Sequence, residues 1–136
     1  MTKGTKESPL DLFSALAYLE PGQKVVMEEG VYYQSKALII ERGNDGTKRK
    51  PKVLTTVPGT KVILDFSNAG GGFQLWGNYW IVENIDIRNT DGNVKGFQIA
   101  GDNNIIRGVN TYFCGDTGLQ ISGTSTETYE KWPSYN

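Results

Sequence analysis

At 136 residues the chain is one domain's worth of polypeptide, long enough to bury a core. Its formal charge of −1 gives no bulk attraction to nucleic acid or an anionic membrane, and no stretch stays apolar for the width of a bilayer. The absence of histidine and the single Cys114 exclude histidine-based triads, His-ligated zinc and an intrachain disulfide.

The opening stretch, MTKGTKESPL, lacks the apolar segment of a signal peptide. A helix is expected over residues 8–20. Ser8 suits the N-cap, Pro9 the first helical position and Asp11 the acid that faces the helix dipole. Leu10, Phe13, Leu16 and Ala17 fall on one face at helical spacing, and Pro21 ends the element.

Residues 23–66 read as irregular first coils made of short strands. QKVVMEEGVYY follows the Pro21-Gly22 turn, ALIIERG and PKVLTTV come next, and TKVILDF follows Pro58-Gly59. Glu28 and Glu29 sit at a turn before Gly30 and are expected to be solvated. Arg42, Lys48, Arg49, Lys50 and Lys52 fall within eleven residues, offset by Glu41 and Asp45. Such a patch could steer an anionic polymer; a solvated loop between strands is the simpler reading.

Residues 72–122 repeat. Gly72-Phe73-Gln74-Leu75, Gly96-Phe97-Gln98-Ile99 and Gly118-Leu119-Gln120-Ile121 begin 24 and then 22 residues apart. A period of that length without helical spacing marks a solenoid with one coil per repeat. Alternation within each copy sends the Phe/Leu and Leu/Ile pair inward and glutamine outward, so Gln74, Gln98 and Gln120 form a ladder. The second half of each copy is expected to alternate through Ile81, Ile85 and Ile87, and less strictly through Ile105, Val109 and Tyr112. The apolar setting of Cys114 predicts a buried structural thiol. The third copy gives only its first strand, followed by TSTETYEKWPS, so a half-built coil is expected at Tyr135 and Asn136.

The fold class that follows is all-β: a right-handed parallel β-helix, a solenoid with an N-terminal capping α-helix, truncated after about three to four coils. Residues 1–136 are then the N-terminal part of a single domain. The helix acts as a lid over apolar interior and unpaired strand edges.

GTKESPLDLFSALAYLEPGQKVVMEEGVY resembles the capped start of secreted β-helical polysaccharide lyases. With IIERGNDGT, GGFQLWGNYWIVENIDIRNT, KGFQIAGDNNIIRGVNTYFCGDTGLQIS and WPSYN, the chain is similar to the N-terminal half of polysaccharide lyase family 9, the calcium-dependent pectate lyases, from about Gly4 to Asn136. The resemblance implies β-elimination on polygalacturonate, an acidic plant polysaccharide. That reaction removes the C5 proton of a uronate and expels the 4-O-glycosidic oxygen. A cation must neutralise the uronate carboxylate, and a lysine or arginine must be held neutral to act as base. In the family, clustered aspartates bind calcium and a lysine is the base, on coils downstream of this segment. No catalytic or metal-ligating residue therefore carries over, and no calcium is expected on this fragment. The resemblance also implies a secreted protein.

Candidate substrate contacts remain: Gln74, Lys95, Gln98, Asp116 and Gln120. The glutamines could meet sugar hydroxyls; the blander reading is an amide ladder in which they bond one another. Asp116 could line a groove; its blander role is an Asx-turn before Gly118. Alone it cannot hold calcium, which takes six to eight oxygens. Lys95 is the best single guess for a uronate contact, and Trp76, Tyr79 and Trp80 could stack on sugars, at least one of them being core. Two functions stay open: an enzyme fragment inactive by itself, or a non-catalytic β-helix serving as a carbohydrate-binding or adhesive module. The uncapped C-terminal end is also a candidate for self-association.

Overall fold

A computed structural model describes residues 12–67, 71–123 and 133–136. Twelve short strands follow one helix: α1 Leu12–Ala17, β1 Lys24–Met27, β2 Gly30–Tyr33, β3 Leu38–Ile40, β4 Lys52–Thr56, β5 Val62–Asp65, β6 Phe73–Leu75, β7 Trp80–Glu83, β8 Asp86–Arg88, β9 Phe97–Ile99, β10 Ile105–Arg107, β11 Asn110–Tyr112 and β12 Leu119–Ile121. They pair into three parallel sheets, β1-β4-β7-β10, β2-β5-β8-β11 and β3-β6-β9-β12. Each coil contributes one strand to each sheet, and the coils wind into a right-handed parallel β-helix. Of the expected helix, Leu12–Ala17 is seen, while Ser8, Pro9, Leu10 and Asp11 lie outside the described residues. No described helix is long and apolar enough to cross a membrane.

Inward side chains stack along the axis. In the third sheet Leu38, Phe73, Phe97 and Leu119 share one register, and Ile40, Leu75, Ile99 and Ile121 the next. The Phe73 and Phe97 rings lie parallel, their centroids 4.5 Å apart with 7° between planes. Burying such rings drives the stack, at about 25 cal/mol per Å² of apolar surface. The glycine before each phenylalanine is dictated by this closeness. A Cβ on Gly96 would stand 2.6 Å from the Gly118 carbonyl oxygen, so a side chain there would force the coils apart.

The first two coils are in register with the later ones: β4 pairs with β7 and β5 with β8 as closely as the repeats pair with each other. The alternation expected through Ile81 is corrected by the structure. Trp80 and Val82 point into the core with no exposed surface, while Ile81 faces outward. The phase shifts because Asn84 adopts a left-handed backbone (φ 63°) between β7 and β8. Ile85 and Ile87 then point inward as expected, both fully buried. Gly108 (φ 62°) makes the same corner one coil later. Ile105 stays exposed on the outer face of β10.

Two further expectations are revised. Lys52 is not part of a solvated loop: it begins β4, is buried, hydrogen-bonds Asn44 Oδ1 through its ammonium and lies 5.9 Å from the centre of the Trp80 ring. Cys114 is half-buried rather than buried, with its Sγ 3.6 Å from the Tyr112 carbonyl oxygen. It sits at a corner, where the core does not enclose it.

Candidate functional site

The outer face of the third sheet gathers the residues singled out from the sequence. Gln74, Gln98 and Gln120 are direct partners on β6, β9 and β12, half-buried and facing out. Lys95 precedes Gly96 at the corner entering β9, and Asp116 occupies the corresponding corner one coil on. Their side chains meet across the coils, Lys95 Nζ to Asp116 Oδ2, at 3.3 Å. Gly71, Phe73, Gln74, Asn93, Val94, Lys95 and Gln98 line a groove of about 300 Å³. All five candidates thus fall on or beside one strip of surface.

Their bonding differs from the expected ladder. Gln74 Oε1 accepts the Trp76 indole N–H at 3.1 Å, and Gln120 Nε2 donates to Ser122 Oγ at 3.0 Å. These two glutamines therefore bond along their own strands, two residues on, rather than to the glutamine above. Gln98 makes no side-chain hydrogen bond among the described residues; the residue two positions on, Ala100, is buried and offers only a methyl. Asp116 likewise turns to Lys95 and not to an Asx-turn; the Asx geometry belongs to Asp65, whose Oδ1 accepts the Ser67 N–H at 2.7 Å. The Lys95–Asp116 pair is half-exposed and long, so it holds the ammonium loosely and leaves it able to meet another carboxylate.

One element of this face was missed by the sequence reading. The Arg42 guanidinium lies over the Trp76 ring, 5.2 Å from its centre. Trp76 was noted as a possible sugar platform, and the structure places it half-buried beside Gln74. What no local pattern reveals is that Arg42, a coil earlier, reaches its ring. Trp80 is the core member among the three aromatics, with its indole N–H donating to the Asn44 carbonyl at 2.7 Å.

The outer face of the second sheet carries charge in a different style. Asp65 Oδ2 receives Arg88 Nε at 2.8 Å and the Asn89 amide at 2.9 Å, and Ser67 N–H donates to Asp65 Oδ1. Burial pushes the Asp65 carboxyl upward in pKa, but these donors outweigh it and hold the group below its usual value. Asp86 is governed in the same way, with burial opposed and overcome by Asn110 and Lys61. These satisfied carboxylates tie coils together.

Among the described residues no group of three or more His, Cys, Asp and Glu side chains is placed to hold a metal ion. Calcium takes six to eight oxygens, usually with several carboxylates. Asp116, committed to Lys95, does not approach such a set. The residues described here do not fit calcium.

The geometry defines a class: a right-handed parallel β-helix with a polar outward strip on one sheet. The whole chain, residues 1–136, matches the family model for the Pel9A-like, right handed beta helix region. The chain belongs to that family. Pectate lyase L of Thermoclostridium stercorarium is 47% identical over 134 residues, covering 98% of this chain and 11% of that protein. Pectate lyase L of Paenibacillus polymyxa (strain SC2) is 35% identical, covering 92% and 29% respectively. In the crystal structure of pectate lyase Pel9A, 31% of the chain superposes on 85% of this one with a TM-score of 0.68 at 20% identity. The chain thus spans under a third of the length of these relatives, and about a tenth of the first.

Proposed function

We propose that this chain forms the opening coils of a secreted, calcium-dependent lyase that cleaves polygalacturonate by β-elimination, and that its own part is to bind the polymer. The observation that carries this reading is the convergence of Gln74, Lys95, Gln98, Asp116 and Gln120 on one outward strip, in a chain matched over its full length by a pectate-lyase β-helix model. The strip offers amides for hydroxyls and one ammonium for a uronate carboxylate. Proton abstraction and calcium binding are assigned to other coils on the family resemblance; the described residues assemble no ligand set for the cation. The exposed edge at Leu119 and Ile121 is a surface through which the isolated chain self-associates.

The test is an assay of the chain on polygalacturonate with calcium, following the absorbance of unsaturated uronides, alongside gel retardation by the same polymer. Retardation without turnover is expected, weakened several-fold by Lys95→Gln. Calcium-dependent turnover by the chain alone would overturn the division of labour, and unchanged retardation of Lys95→Gln would remove Lys95 from the site.

A further inference from the structure

A second groove, of about 450 Å³, opens on a different side of the coil, between the outer face of the first sheet and the corner that leads into it. Tyr79 and Tyr135, Ile81 and Ile105, and Asn103 and Lys48 are among the residues that line it. Tyr79, Asn103 and Tyr135 hold one and the same corner in successive coils. The Tyr79 N–H donates to the Asp102 carbonyl at 3.2 Å, and the Asn103 N–H donates to the Ser134 carbonyl at 3.0 Å. All three have left-handed backbones, with φ 59°, 57° and 59°.

That backbone makes the tyrosines informative. Left-handed φ suits glycine and asparagine and disfavours bulky side chains. Asparagine holds four of the left-handed corners, at 84, 89, 93 and 103. Tyrosine at 79 and 135 bears the backbone cost without a full return in burial: Tyr79 is half-buried and Tyr135 is 86% exposed. Strain retained at an exposed aromatic points from the structure toward a ligand. Two coil spacings separate the tyrosines, about 10 Å, a span on the scale of two sugar residues. An aromatic face at each end and an amide between them suit a glycan laid along the axis, its C–H faces on the rings and a hydroxyl on Asn103. Among the described residues Lys48 is the only charged one lining the groove, and Arg49 and Lys50 follow it on the exposed loop. The charge complementarity is to an acidic chain.

We propose that this groove is a second, non-catalytic binding site for a uronate-containing glycan, held by stacking on Tyr79 and Tyr135 and selected by Lys48. Its location owes nothing to the strip on the third sheet; only the choice of a uronate polymer rests on the function proposed above.

The test uses the full chain in affinity gels containing polygalacturonate or a neutral galactan, with EDTA present so that calcium-dependent events play no part. Tyr79→Asn and Tyr135→Asn adopt the residue already used at Asn103, so thermal midpoints should hold or rise. Each should weaken retardation by polygalacturonate about tenfold. Lys48→Gln should weaken retardation by the acidic polymer and leave that by galactan unchanged. Wild-type retardation in the double tyrosine variant would overturn the site. Equal retention of both polymers, with Lys48→Gln silent, would overturn the acidic ligand. Loss of retardation in Lys95→Gln with the tyrosine variants unaffected would place all binding on the third sheet and likewise refute this groove. Calcium-dependent turnover by the chain alone, with binding still lost through Tyr79, would overturn the division of labour proposed above and leave this groove standing.

Discussion

Asn136 holds Asn104 as Asn104 holds Trp80. The Trp80 N–H donates to Asn104 Oδ1 at 2.9 Å, and the Asn104 N–H donates to Asn136 Oδ1 at 2.8 Å. The amide nitrogens repeat the pattern, Asn104 Nδ2 donating to the Gly77 carbonyl at 3.0 Å and Asn136 Nδ2 to the Gly101 carbonyl at 2.8 Å. Beside this run, the Asn78 N–H donates to Asp45, the Asp102 N–H to Asn78 and the Ser134 N–H to Asp102, each through a side-chain oxygen. The corner is thus closed by side chains that lend an acceptor to the neighbouring coil. It also shows that residues 134–136 re-enter the stack in register.

Asn104→Ala should therefore destabilise the chain by about 1–3 kcal/mol, because it strands the Trp80 N–H and the Gly77 carbonyl where water does not reach. Asn136→Ala acts at an exposed corner and should cost well under half as much. Thermal denaturation of the two variants checks the order; equal losses would refute the account of this corner.

Phe97→Ala removes a ring from the middle of the Leu38–Phe73–Phe97–Leu119 column and should cost about 3–5 kcal/mol. Phe97→Leu should lose much less, since leucine already occupies that register at both ends of the column. Urea denaturation would show the contrast as a shift in midpoint at constant slope.

The repeats made this column legible: three copies of one short motif gave the direction of every side chain from Gly72 to Leu75 and onward through β9 and β12. Legibility ended at the corners. Tyr79 and Asn84 each insert a left-handed residue, and each resets the alternation, so Ile81 faces out although simple counting sends it in. The relationships that matter at the candidate site were illegible for another reason. Lys95 finds Asp116 and Arg42 finds Trp76 across coils, and each pairing depends on how many residues a corner consumes. Gln74 illustrates a local competition: its Oε1 takes the indole N–H of Trp76, two residues on, and not the amide of the next glutamine.

Acid should loosen the second sheet. Asp65 and Asp86 have carboxyls depressed below their usual 3.8 in the folded chain. Their stabilisation is complete above that value and disappears as pH falls through the lower, folded one. Thermal midpoints should hold down to about pH 4 and then drop. Asp65→Asn should start from a lower midpoint and show a shallower acid decline; an unchanged decline would rule Asp65 out as a source.

Lys52 acts with the opposite sign. Burial lowers its pKa from the usual 10.5, so the charged ammonium opposes folding at neutral pH. Stability from this group should rise as pH climbs through the folded value toward 10.5. Lys52→Met should abolish that alkaline rise, as read from denaturation midpoints between about pH 8 and 10.5.

The column of glutamines has one further consequence. Their spacing is fixed by the hydrogen bonds of the sheet at about 4.8 Å, whatever the side chains do. The outer face is in that sense a ruler, graduated by the backbone and inscribed by residues that can change one at a time. In the binding role proposed above, a polymer lying along it would meet a carboxamide at three successive divisions and Ile39 at the fourth, so its hold would be a sum of weak contacts rather than one strong one. Erasing a single mark shortens the grip without shifting the scale.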